Sequence, residues 1–243
     1  MTQFCRRLLA VALGAGIAAC SRTDASPKTP AVATASTDAN SSAGSVALPA
    51  AGGAPHDTTT DKADRGRILG AENAKVWVVM VSDFQCPFCK QWHDAQFQSV
   101  LPYAQKGQIR LAFINFPLNI HPNAVPAAEA AMCASMQNKF WPMHEALFAA
   151  QNQWVPLPDP SAKLESLAAG VAGLDMNAWK TCVAKHTTRA LIEADHDRWR
   201  AAGVGSTPGF SVNGKMLTLP DGSSPGAGAD VVGAIEAALK AQR

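Results

Sequence analysis

An apolar run, Val76 to Val81, passes directly into Ser82-Asp83-Phe84-Gln85-Cys86-Pro87-Phe88-Cys89, and an amphipathic stretch begins at Lys90. A continuous, largely β-branched run is the pattern of a strand covered on both faces, as in a parallel sheet flanked by helices. A strand that opens straight into a helix puts the first cysteine at the helix N-terminus, where unpaired backbone amides and the helix dipole favour a thiolate. Cys86 is therefore read as the nucleophile and the more exposed sulfur, and Cys89, one turn further in, as the resolving thiol. Pro87 suits a first turn because its missing amide hydrogen would have had no partner there.

Other uses of paired cysteines need residues this chain lacks. A zinc ribbon requires a second paired motif. Adding His93 gives only three candidate ligands, and a c-type haem requires histidine directly after the second cysteine, where Lys90 stands. Neither a metal nor another cofactor is expected.

The N-terminus sets the redox setting. Arg6 and Arg7 precede an apolar segment, Leu8 to Ala19, too short to span a bilayer in the usual way. It closes in Ile17-Ala18-Ala19-Cys20, which resembles the lipobox of bacterial lipoprotein signals. The resemblance implies that residues 1–19 are removed and that Cys20 is lipidated; an ordinary secretory signal ending near Ala19 is the alternative. Ser21 follows, and by resemblance to lipoprotein sorting in Gram-negative bacteria it implies the outer rather than the inner membrane, facing the periplasm. Of the six cysteines, Cys5 leaves with the signal and Cys20 carries lipid, so Cys86, Cys89, Cys133 and Cys182 remain, an even number in an oxidising compartment. Cys133 and Cys182 are expected to form a structural bridge, the alternative being two buried free thiols. Net charge is only +2 with no basic cluster, so no nucleic-acid partner is expected.

Residues 20–64 are rich in Ser, Thr, Ala, Pro and Gly and bury too little surface to offset the entropy of ordering, which predicts a disordered tether. One folded domain, 65–243, remains. Its order begins with a short strand and turn at Arg67–Gly70, then the strand 76–81, a helix to about Gln105 and a strand over 108–116. A helical segment spans about 122–203. Strands 209–212 and 215–219 follow, joined by the hairpin pair Asn213-Gly214, and a helix over 230–242 closes the chain. A strand–helix–strand unit of this length predicts a parallel pair.

Three segments in this order carry a family resemblance: Ser82–Cys89, Lys139-Phe140-Trp141-Pro142-Met143-His144, and Gly203-Val204-Gly205-Ser206-Thr207-Pro208-Gly209-Phe210-Ser211-Val212-Asn213-Gly214. Over about residues 66–243 the chain resembles the DsbA-like disulfide oxidoreductases of the thioredoxin superfamily. The resemblance implies an α/β thioredoxin-like fold with an all-helical insertion, and a cis Pro208 packed beside the dithiol. It implies that Thr207 offers backbone hydrogen bonds to an extended substrate, and that Pro87 and Phe88 help to bind it. It also implies a thiol:disulfide oxidoreductase acting on cysteine-containing exported proteins and recycled by a redox partner, attached to the membrane by its lipid. The tether occupies the place of the dimerisation module of familiar isomerases, so a monomer with weak isomerase activity is expected. The alternatives are an isomerase or reductase, or a chaperone-like binding module in which the thiols are secondary.

Two departures bear on chemistry. Many relatives carry a buried acid six positions before the first cysteine, where this chain has Met80. Asp83 is expected to face another way, leaving proton transfer to water or to another carboxylate. Phe88 stands where strong oxidants of the family often have histidine, so Cys86 should be less acidic and the disulfide less oxidising than in those proteins. His121, His144 and His196 are read as caps, surface groups or packed core, and Trp77 and Trp92 as possible redox reporters by their nearness in sequence to the dithiol.

Overall fold

The computed structural model describes residues 58–242. The signal, Cys20 and most of the tether lie outside these residues. The chain begins with α1 (Thr58–Gly66) and β1 (Ile68–Leu69), then β2 (Val76–Ser82), α2 (Pro87–Trp92), a π-helical turn at His93–Phe97, and α3 (Gln98–Gln105). β3 (Ile109–Asn115) follows, then the insertion helices α4 (Ala124–Ser135), α5 (Phe140–Ala149), α6 (Gln151–Trp154), α7 (Ser161–Ala169), α8 (Met176–Ala184) and α9 (Arg189–Ala201). β4 (Gly209–Val212), β5 (Lys215–Met216) and α10 (Val231–Lys240) complete it.

The sheet order is β1-β3-β2-β4-β5. β2 and β3 are parallel, with Val76 opposite Ile109 and Ser82 opposite Asn115, and the other pairings are antiparallel. Alternation along β2 divides its side chains. Val76, Val78 and Met80 join the main core with Val100 of α3 and Val231 and Ile235 of α10. Val79 and Val81 point the other way, against Phe116, Trp199 of α9 and Val204. Burial on both faces accounts for the unbroken apolar run. The hairpin turn uses Asn213 at φ 50° and Gly214 at φ 78°, a left-handed pair that glycine and asparagine tolerate best.

Three expectations need correction. The tether ends sooner than residue 64, because α1 packs on the insertion: Ala63 is fully buried, and Ser135 Oγ donates to its carbonyl at 2.6 Å. A Cβ on Gly66 would overlap the Ser135 carbonyl, so that approach depends on glycine. Arg67, itself buried, then pairs with Asp64 and with Asp195 of α9. These contacts lie far off in sequence, which is why composition alone misses the helix. The last strand is also shorter than expected, stopping at Met216. Trp77 lies at the opposite end of β2 from the dithiol, under the Arg110 guanidinium at 4.3 Å, so only Trp92, in α2 itself, is placed to sense it.

In the insertion, α4 is buried almost all round, as its alanines allow. Cys133 of α4 and Cys182 of α8 are bonded, with Cα atoms 5.7 Å apart. Among the described residues no helix is long and apolar enough to cross a membrane.

Candidate active site

β2 delivers the chain to a tight loop, Asp83–Gln85, and Cys86 caps α2 in an extended conformation at φ −66° and ψ 124° with Pro87 as the first helical residue. The Cys86 amide donates to the Asp83 carbonyl at 3.1 Å, closing the turn that aims Cys86 at the helix N-terminus. The thiol of Cys86 lies 3.5 Å from the carbonyl oxygen of Thr207, and the Thr207–Pro208 bond is cis. Both sulfurs belong to covered residues, Cys86 at 3 % exposure and Cys89 at 2 %. Cys86 is, as expected, the less covered of the two, though only slightly, and it is Pro87 and Phe88 that project into solvent, Phe88 being 60 % exposed.

The two thiols have opposite electrostatics. A hydrogen bond from Cys89 is the largest influence holding Cys86 down at about 6, against the opposing effect of burial. The Thr207 hydroxyl and the amides of Cys89 and Phe88 add to it. Burial, followed by the neighbouring Cys86, pushes Cys89 well above the ordinary thiol value. The Asp83 amide, 3.5 Å from Cys89 Sγ, and the Ser82 hydroxyl work against that rise. Near neutral pH the pair thus carries one thiolate, on Cys86, and one thiol, on Cys89. The Thr207 hydroxyl is buried and has no hydrogen-bond partner in the structure, and its proximity favours the ionised form of Cys86.

The loop before Cys86 is held from the insertion. Gln151, the first residue of α6, donates through Nε2 to the carbonyls of Phe84 and Cys86 at 2.8 and 3.0 Å. Gln85 Oε1 accepts from the Asn123 amide at 2.6 Å. Asp83 does face away from the thiols: Oδ1 accepts from the Gln85 amide at 2.7 Å, and Oδ2 meets the Leu118 amide at 2.9 Å and His121 Nδ1 at 2.6 Å. His121, read from sequence as a cap, a surface group or packed core, is thus a support for the loop before Cys86. Gln151, Asn123 and Gln85 were not singled out from sequence, where isolated amides between hydrophobic positions give no periodic signal. Met80 is buried in the main core and offers no proton.

His93 turns its nitrogens to Asp94 and Glu145 rather than to the thiols, so a Cys86–Cys89–His93 metal set is not assembled. His144 is packed core, as expected, among Phe97, Phe148, Trp141 and Phe113 with ring centroids 4.9 to 5.4 Å away. Burial lowers its pKa to about 4. His196 stacks on Phe116.

A central parallel β2–β3 pair flanked by antiparallel β4, with a paired-cysteine helix start facing a cis-proline, is the thioredoxin arrangement. The chain belongs to the thioredoxin family, whose model (Thioredoxin_4) matches residues 62–224. Its fold is that of the DsbA-type proteins, through the oxidised BdbD of Bacillus subtilis (25 % identity, TM-score 0.60, covering 72 % of this chain and 94 % of that one). Alpha-DsbA1 of Wolbachia pipientis shares the fold at 20 % identity and TM-score 0.59, covering 72 % of this chain and 91 % of that one. Among curated proteins, the probable disulfide bond formation protein D of Bacillus anthracis is 27 % identical over 180 residues, covering 66 % of this chain and 79 % of its own. The Na(+)/H(+) antiporter NhaA 3 of Salinispora tropica is 34 % identical over 153 residues, covering 63 % of this chain. That match spans 22 % of the antiporter's length, so the chain corresponds to a small part of the first relatives it matches.

Proposed function

We propose that this protein is a DsbA-like thiol:disulfide oxidoreductase working outside the cytoplasm, with Cys86 as nucleophile and Cys89 as resolving thiol. The observation that carries this reading is the opposed environment of the two sulfurs at one helix start, beneath Thr207. In one direction the reduced Cys86 thiolate attacks a substrate disulfide, forming a mixed disulfide and releasing a substrate thiolate. Cys89 then loses its proton and attacks Cys86, so that the second substrate sulfur leaves and the protein ends oxidised. In the other direction a substrate thiolate attacks Cys86 in the closed disulfide and expels Cys89. A second substrate thiolate then releases Cys86, and the substrate ends oxidised.

Substrates are cysteine-containing exported proteins, recycling depends on a separate redox partner, and the working unit is a monomer. Pro87, Phe88, Thr207 and Pro208 form the surface that meets an extended substrate segment. The Cys133–Cys182 bridge stabilises the insertion, which agrees with an oxidising compartment. Cys20 carries lipid and holds the protein on the periplasmic face of a membrane, the outer more than the inner.

Trapping tests the enzymatic reading. Cys89→Ala should accumulate mixed disulfides with exported proteins that dissolve on reduction, while Cys86→Ser should trap none and lose exchange activity. A Cys86→Ser/Cys89→Ser variant that retained full activity would instead mark a binding module. Radiolabelled lipid incorporation lost in Cys20→Ala tests the anchor.

A further inference from the structure

Just beyond α2, three side chains outside the dithiol converge. Glu145 Oε1, on α5, lies 2.9 Å from His93 Nε2 and 3.1 Å from His144 Nδ1. One donor atom from each of the three residues lies within 4.8 Å of the other two. Side-chain exposure is 10 % for His93, 0 % for His144 and 41 % for Glu145, so the group is walled by protein on the imidazole side and open to water at the carboxylate.

We propose that His93, His144 and Glu145 form a binding site for a divalent first-row transition ion, one that pins the active-site helix to the insertion. Two imidazoles and one carboxylate are the donor set such ions take, whereas calcium and magnesium prefer oxygen alone. Two of the three spacings already suit one ion, and the third, between the imidazole nitrogens and within 4.8 Å, closes when the rings turn toward it. With bonds of about 2.1 Å, neighbouring ligand atoms stand about 3.0 Å apart around an octahedral centre and about 3.4 Å around a tetrahedral one. The two edges at Glu145 Oε1 match the first and need only a few tenths of an ångström to reach the second.

His93 supplies an independent indication. Its other nitrogen, Nδ1, lies 3.2 Å from Asp94 Oδ1, and Asp94 is in turn held by Lys90 at 2.7 Å. A metal-bound histidine characteristically donates its outer N–H to a carboxylate, which fixes the tautomer and turns the inner lone pair to the ion. Here both nitrogens of one ring face carboxylate oxygens, Asp94 on the outer side and Glu145 on the inner, which is the arrangement of a ligating histidine with its outer carboxylate. Gln98 Nε2 donates to Glu145 Oε2 at 3.2 Å, which holds the carboxylate with Oε1 toward the two imidazoles. His93 also opens the π-helical turn, a widened turn of the kind that re-aims side chains at functional positions.

Loading balances simply. The ion replaces the proton between His93 Nε2 and Glu145, which is released to solvent. The His144 proton shifts from Nδ1 to Nε2, an atom that is buried and unpartnered. Water completes the coordination on the exposed side.

The test titrates zinc into the full-length protein with the Cys86–Cys89 disulfide closed and all remaining thiols alkylated, so that no sulfur can compete. Affinity is read by competition with a chromophoric chelator. Cobalt substitution then reports geometry through its visible bands. The wild type should bind one equivalent and melt at a higher temperature with zinc. Glu145→Gln, at the open side of the site, and His93→Gln should each weaken binding about tenfold or more and lose both the cobalt bands and the thermal shift. Equal zinc affinity in the wild type and both variants, or no binding by the wild type at micromolar zinc, would overturn the site and leave a hydrogen-bonded triad.

Discussion

Thr207→Val isolates the hydroxyl that favours the ionised Cys86. Valine keeps the shape of the side chain and the backbone carbonyl 3.5 Å from Cys86 Sγ, and it deletes only the hydroxyl. A hydrogen bond to an ionised group contributes about 1.5–3 kcal/mol to the charged form. Sulfur is a weak acceptor, so a value just under that range, about 1.4 kcal/mol, is the working figure. That is about one pKa unit, moving Cys86 from about 6 to about 7. At pH 7 the thiolate fraction then falls from about nine-tenths to about one-half, destabilising the reduced protein by about 1 kcal/mol and lowering the reduction potential by about 20 mV. The sign follows because only the reduced state carries the thiolate. Thiolate ultraviolet absorbance against pH, with Cys86→Ser as the blank, measures the first quantity, and equilibration with glutathione the second. An unchanged titration in Thr207→Val would refute the assignment of that hydroxyl, and a fall in pKa would reverse it.

Replacing Cys133 and Cys182 together by alanine should cost up to about 4 kcal/mol in the chain-entropy estimate for a separation of 49 residues, read by urea unfolding, while dithiol exchange is retained. Gln151→Ala leaves the Phe84 carbonyl without its side-chain donor and should cost about 1–3 kcal/mol, with faster amide exchange over residues 84–90 rather than throughout the domain. Because the folded pKa of Cys86 is depressed from 9.0 to about 6, the reduced wild type should gain stability over Cys86→Ser as pH rises from about 6 towards 9 and lose that advantage as pH falls through 6; parallel stability curves would contradict the ionisation. The midpoint potential should fall between about −120 and −270 mV, the values of a strong periplasmic oxidase and of thioredoxin.

The fold was largely legible because its signals are local. The run 76–81 announces a doubly covered strand, Asn213-Gly214 a hairpin, and Cys86-Pro87-Phe88-Cys89 a helix start. What escaped depends on contacts distant in sequence. Helix α1 has a polar composition and is held by Ser135, Gly66 and the Arg67–Asp195 pair, none of which a window of composition can register. The loop support from Gln151 to the Phe84 and Cys86 carbonyls comes from 65 and more residues away. Likewise Asp83 could be judged to turn from the thiols, but its partner His121 lies 38 positions on, beyond any turn or helix period.

The grip of Gln151, Asn123 and His121 on residues 83–86 has a consequence for how such a domain can change. An insertion that sets the attitude of the active-site loop cannot be exchanged as a cassette. Grafting another insertion onto this sheet, without residues that offer the same donors to the Phe84 and Cys86 carbonyls and to the Gln85 side chain, would detune the thiol even if the new helices packed well. The packing of the insertion and the reactivity of the thiol are thus inherited together, and selection on one drags the other.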